Sequence, residues 1–180
     1  IRALEPEMLA TRHQIHANPE LAFEEFQTSD LVAERLTRWG YQVHRGLGGT
    51  GVVGTLKVGD GPKRLGLRAD MDALPIEEAG GNRPWASRVL GKMHACGHDG
   101  HTTMLLGAAR HLAATQAFNG TLHLVFQPAE EGLGGARVMI EDGFFDLFPC
   151  DAMFAMHNMP GHAEGTLGFL AGPAMASSDT

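Results

Sequence analysis

His94-Ala95-Cys96-Gly97-His98-Asp99-Gly100-His101 heads a segment, 94 to 126, from which the fold class can be read. The cluster opens a helical pattern at about 101 to 115, and the apolar run Thr121-Leu122-His123-Leu124-Val125-Phe126 that follows reads as a strand. Residues 64 to 69 read as another strand upstream, so the segment completes a strand–helix–strand unit. Before it, apolar residues recur at helical spacing over 5 to 17 (Met8, Leu9, Ile15) and 24 to 39 (Leu31, Val32, Leu36, Trp39), and Gly40 ends the second helix. Strands are expected at 41 to 45 and 50 to 58, and Gly59-Asp60-Gly61 predicts a hairpin joining 50–58 to 64–69. A helix near 134 to 142 and strands at 152 to 156 and 166 to 170 follow. The alternation predicts an α/β fold with a mixed, largely parallel central sheet.

Composition excludes several classes. The chain has 180 residues, 43% hydrophobic and 19% charged, as expected of a soluble globular domain. A formal charge of −7 leaves no basic stripe for a phosphate backbone, so nucleic acid is not an expected partner. No apolar run is long enough to span a membrane, and Ile1-Arg2-Ala3-Leu4-Glu5-Pro6 lacks the core of a signal peptide. With only Cys96 and Cys150, a disulfide framework is not expected and a reducing, cytoplasmic setting is.

Polar clusters fall at strand ends. Asp70 and Asp72 follow 64–69, Glu130 and Glu131 follow 121–126, and His157 and Asn158 follow 152–156. Ligands in open α/β sheets bind outside the carboxyl ends of parallel strands, so one site can gather these groups with Cys96 and His98. Thiolate and imidazole are common ligands of zinc and its neighbours, and an irregular turn lets residues two apart reach one cluster. Taken singly, Cys96 fits a small buried hydrophobe, Glu130-Glu131 an acidic turn before a helix, and Asp70-Met71-Asp72 a pair of turn aspartates. Taken together they suit a hydrolytic metal site, which needs one carboxylate to hold metal and another to take a proton from water. Asp72 can orient a ligand from behind. The remaining readings are a closed metal-binding module without catalysis, and a thiol enzyme with Cys96 as nucleophile and His98 or His101 as base. The loop 74 to 92 has no clean period, and its part from Leu74 to Trp85, together with Asn158, is a candidate pocket border. Histidines 13, 16, 44, 111, 123 and 162 have no comparable company and read as structural or exposed.

Four motifs in order carry a resemblance: Leu67-Arg68-Ala69-Asp70-Met71-Asp72-Ala73-Leu74-Pro75-Ile76, the His94–His101 cluster, Phe126-Gln127-Pro128-Ala129-Glu130-Glu131-Gly132, and His157-Asn158-Met159-Pro160-Gly161. With the opening Arg12-His13-Gln14-Ile15-His16-Ala17-Asn18-Pro19-Glu20-Leu21, the chain resembles the dinuclear-metal amidohydrolases of the aminoacylase and hippurate hydrolase type. The resemblance implies a three-layer α/β/α catalytic domain and hydrolysis of N-acyl or aryl-acyl amino acids by metal-activated water. It implies two divalent ions (zinc, manganese, cobalt or nickel) on Cys96, His98, Glu131 and His157, with the Cys96 sulfur bridging. Glu130 becomes the general base and Asp72 a support behind the ligands. Asp70 falls where more distant relatives carry a ligating histidine, and is not expected to ligate here. His94, Asp99 and His101 are expected to shape the turn and helix start.

The resemblance also implies that 1–172 is the N-terminal portion of the catalytic domain and 173–180 the junction to a lid or dimerisation domain, a candidate for homo-oligomer contacts. A final histidine ligand and a lid histidine would lie beyond this stretch. The 180 residues alone are therefore expected to show weak or single metal occupancy and little turnover.

Overall fold

The computed structural model describes residues 2–80, 82–169 and 171–172. Helix α1 (Glu5–Ala17) begins with Pro6 in its first turn, where a missing N–H costs nothing, and helix α2 (Phe26–Arg38) follows. Strands β1 (Gln42–Arg45), β2 (Val52–Val58) and β3 (Arg64–Asp70) precede the long helix α3 (His98–Thr115). Then come β4 (Gly120–Gln127), helices α4 (Gly135–Glu141) and α5 (Phe144–Leu147), and β5 (Ala152–Ala155). The sheet order is β1-β2-β4-β3-β5. β1 and β2 are antiparallel, as are β2 and β4, whereas β3 runs parallel to both β4 and β5.

Strand periodicity divides the buried side chains between two faces. Val52, Leu56, Leu124 and Phe126 pack on one face against Val32 and Leu36 of α2 and Leu105, Leu106 and Ala109 of α3. Val53 and Val125, one residue out of phase, pack on the other against Met139 of α4 and Phe144 of α5. The domain thus has three layers. α2 lies close to the sheet because Gly54 has no side chain: a Cβ there would sit 2.8 Å from a Leu36 methyl. Each fully buried side chain of this kind contributes about 1.5–3 kcal/mol.

Two local expectations fail. β2 and β3 do not form a hairpin, because β4 lies between them, with Val52 opposite Phe126 on one side and Arg64 opposite Thr121 on the other. β4 is buried along nearly its whole length and takes the central position, where both of its edges are hydrogen-bonded; burial outweighs the local turn signal. The Gly59–Gly61 turn instead wraps the start of β4, with the Gly61 N–H donating to Asn119 Oδ1 at 2.7 Å. Residues 166–169 form no strand, and residue 170 lies outside the described residues. Leu167 and Phe169 are 71% and 91% exposed, and no partner strand faces them among the described residues. The expected junction at 173–180 also lies outside the described residues. Helix α3 begins at His98, three residues earlier than its pattern predicts.

No helix among the described residues is long and apolar enough to cross a membrane. Cys96 and Cys150 are both free thiols.

Candidate metal centre

The parallel arrangement of β4, β3 and β5 brings three carboxyl ends side by side at the amino end of α3. Gly97 makes the turn into that helix with φ of +89°, and any side chain there would meet Asn158 at 2.2 Å. The turn sends Cys96 and His98 toward the same place: Cys96 Sγ lies 3.4 Å from His157 Nε2. Ligand atoms of Cys96, His98 and His157 lie within 4.8 Å of one another, as do those of His98, Glu130 and Glu131. These five residues picked out from the sequence are therefore gathered at one place.

The ring nitrogens have distinct surroundings. His98 Nδ1 lies 3.2 Å from Asp72 Oδ1, and His157 Nδ1 lies 2.7 Å from the Asn158 carbonyl oxygen. Each Nδ1 faces an acceptor and carries the proton in the neutral ring, which leaves both Nε2 atoms free to bind metal. His98 Nε2 is fully buried without a hydrogen-bond partner, 3.6 Å from Asp70, 3.8 Å from Glu131 and 3.9 Å from Glu130. Glu131 Oε1 is likewise buried without one. Buried polar atoms are rarely left unpaired, so a bare imidazole nitrogen facing a bare carboxylate oxygen fits a divalent cation between them. Asp72 links the two: its other oxygen accepts the Glu131 N–H at 2.9 Å.

Electrostatics agree with that fit. Burial favours the neutral form of Asp70, but hydrogen bonding to His101 and the charges of His98 and Arg68 prevail and hold its pKa at about 2. Burial would lower the His98 pKa, yet the hydrogen bond to Asp72 and the charge of Asp70 raise it above its ordinary value. Burial, then the Glu131 carboxylate, pushes the Cys96 thiol up to about 12. A thiol so raised is a poor nucleophile at neutral pH, which counts against the thiol-enzyme reading. The bases proposed for that reading are engaged: His98 with Asp72, and His101 with Asp70 at 2.6 Å and Asn158 at 2.8 Å.

Other pairings at the site had no signal in the sequence. Asp70, His98 and His101 form a third, fully buried group of potential ligands. His101 ties Asp70 to the loop that carries His157 instead of merely shaping a helix start. His16, read as structural or exposed, bridges Asp99 at 3.0 Å and Glu78 at 3.4 Å, joining α1 and the loop 74–92 to the head of α3. Its hydrogen bond to Asp99 raises its pKa. Glu25, in the connection before α2, reaches the backbone of Ala129. None of these pairings has a sequence spacing that would reveal it.

The turn between β4 and α4 is the strained part. Ala129 adopts φ of +51°, a left-handed conformation costing about 1–3 kcal/mol for a residue other than glycine. Its carbonyl accepts the Gly135 N–H at 2.9 Å, and a Cβ on Gly135 would lie 1.8 Å from the Pro128 carbonyl oxygen. The Glu130 side chain, next in the chain, is 42% exposed, the most open carboxylate of the group.

Residues 66–172 match Peptidase family M20/M25/M40. The chain is 55% identical over 177 residues to hippurate hydrolase of Campylobacter jejuni, covering 98% of this chain and 46% of that protein. It is 43% identical over 180 residues to N-acetyl-L-cysteine deacetylase of Bacillus subtilis, covering 99% of this chain and 42% of that protein. Among solved structures, Bacillus subtilis YxeP, described as a dinuclear metal binding peptidase from the M20 family, superposes with a TM-score of 0.83 at 37% identity. That match covers 89% of this chain and 45% of YxeP. The chain thus spans less than half the length of these relatives. With the motifs, the fold and these likenesses in agreement, the chain belongs to Peptidase family M20/M25/M40.

Proposed function

We propose that the intact protein is a metal-dependent hydrolase cleaving the amide bond of N-acyl or aryl-acyl amino acids, with Cys96, His98, Glu131 and His157 holding two divalent ions. The observation that carries this reading is the pair of buried, unpartnered atoms His98 Nε2 and Glu131 Oε1 at 3.8 Å, with Glu130 exposed beside them. Zinc, manganese, cobalt or nickel suits this donor set and, when bound, supplies Lewis acidity that polarises the carbonyl and acidifies water. Glu130 takes the proton from the attacking water and delivers it to the leaving amine nitrogen, which departs neutral. Asp72 holds the His98 ring by Nδ1 and the Glu131 backbone by its N–H, so one carboxylate orients two ligands. Asp70 and His101 keep Asn158, and with it His157, at the mouth of the site.

The named activities of the hippurate hydrolase and N-acetyl-L-cysteine deacetylase relatives support an acylated amino acid as substrate. Both thiols being free suits a reducing compartment, and the cytoplasm is the proposed location. Self-association through a lid domain belongs to the same proposal.

The test is hydrolysis of a panel of N-acyl amino acids by the intact protein, with and without chelator. Activity is expected to vanish on chelation and return with added metal. Glu130→Gln is expected to lower kcat about 10²–10⁴-fold with metal content retained. Activity that survives chelation would contradict the reading, and loss of metal in Glu130→Gln would make that residue a ligand.

A further inference from the structure

Glu25 is fully buried, yet it takes no part in the chemistry above. It occupies the N-cap position of α2, but its side chain makes no capping hydrogen bond, so the helix does not explain it. Its carboxyl accepts the Thr50 hydroxyl at 2.5 Å and the Ala129 N–H at 2.8 Å, the latter from 104 residues away. Ala129 holds the left-handed backbone immediately before Glu130. Two residues on, the Glu131 N–H donates to Asp72. The segment bearing the candidate base and a candidate ligand is therefore gripped at 129 and 131 by two buried acids from separate parts of the chain. Water could satisfy those N–H groups in an open turn, but it could not fix their direction.

We propose that Glu25 is a positioning residue for the metal centre: by fixing the backbone at Ala129 it aims Glu130 toward substrate and Glu131 into the cluster around His98. The inference rests on the roles proposed for Glu130 and Glu131. The grip depends on shape and hydrogen bonding. A glutamine at 25 keeps it, its amide oxygen accepting the Ala129 N–H and its NH₂ donating to Thr50, whereas alanine releases it.

The experiment compares Glu25→Ala and Glu25→Gln in the intact protein. Zinc affinity is read by competition with a chromophoric chelator, kcat and KM on the best N-acyl amino acid of the panel, and Tm on the metal-free protein. Glu25→Ala is expected to weaken zinc affinity and lower kcat, each about 10- to 100-fold, with KM within about twofold. Glu25→Gln is expected to restore both to within about threefold of wild type. A Glu25→Ala protein with lowered Tm but unchanged affinity and kcat would overturn the proposal, as would failure of Glu25→Gln to restore them. If Glu25→Ala does not fold, Thr50→Val removes one of the two hydrogen bonds and is expected to weaken affinity and kcat about threefold. No change in that variant would overturn the proposal equally. If the wild type binds zinc but hydrolyses none of the panel, the proposed function fails, and the affinity measurements alone decide the role of Glu25.

Discussion

Among the described residues His98 belongs to every group of potential ligands, and its position explains why its neighbours behave as they do. Its Nδ1 is committed to Asp72, its Nε2 to nothing, and the acids facing Nε2 repel one another unless a cation lies between them. His16 offers a separate test of the electrostatics, because it lies outside the ligand set and bridges Asp99 and Glu78. Its folded pKa lies above the unfolded value of 6.5. The charged bridge therefore stabilises fully below 6.5, and that contribution is lost as pH rises through the folded pKa. His16→Gln is expected to cost more stability at pH 6 than at pH 9, measured by urea unfolding of the metal-free protein. An equal cost at both values would mean that His16 is not charged in the folded state. The sequence displayed the ligand types at Cys96, His98, Glu130, Glu131 and His157 because such residues rarely crowd strand ends. It did not display His16 or Glu25, whose partners are 83 and 104 residues distant and whose pairing exists only in the folded chain.

The decisive element is the turn from β4 into α4. Pro128, the left-handed Ala129 and Gly135 close it, and Gly135 has no room for a methyl group against the Pro128 carbonyl. Gly135→Ala must shift backbone and is expected to cost about 1–3 kcal/mol while also lowering kcat, measured by urea unfolding and steady-state kinetics. Leu36→Ala is the complementary variant: it opens a cavity where α2 meets Gly54, remote from the ligands, and is expected to cost about 2–5 kcal/mol with kcat unchanged. If both variants altered kcat alike, the turn would have no special part in catalysis. Helices α1, α2 and α3 were legible from their periodic patterns and β4 from its apolar run, and a helix was expected close to α4. The hairpin was misread because Gly59-Asp60-Gly61 is a local signal, whereas the place of β4 between β2 and β3 is settled by burial along the whole strand. The left-handed Ala129 had no local signature, since alanine carries no turn preference.

For the whole molecule, three layers hold the carboxyl ends of β4, β3 and β5 against the start of α3, and the ligand types on those ends meet as a consequence. Among the described residues β5 pairs on one side only, its residues are exposed, and it carries neither charge nor proline to blunt that edge. Phe154, at 59% exposed, leaves apolar surface beside that edge. These 180 residues expressed alone are expected to self-associate with rising concentration, followed by light scattering; a monomer across the millimolar range would contradict this. In the proposed site Cys96, His98, Glu131 and His157 hold metal while Glu130 stays free as base. Anomalous diffraction from metal-loaded crystals of the intact protein separates ligand from base. Anomalous density is expected in contact with Cys96, His98, Glu131 and His157, and none bonded to Glu130. Density confined to the Asp70–His98–His101 group, or bonded to Glu130, would contradict it.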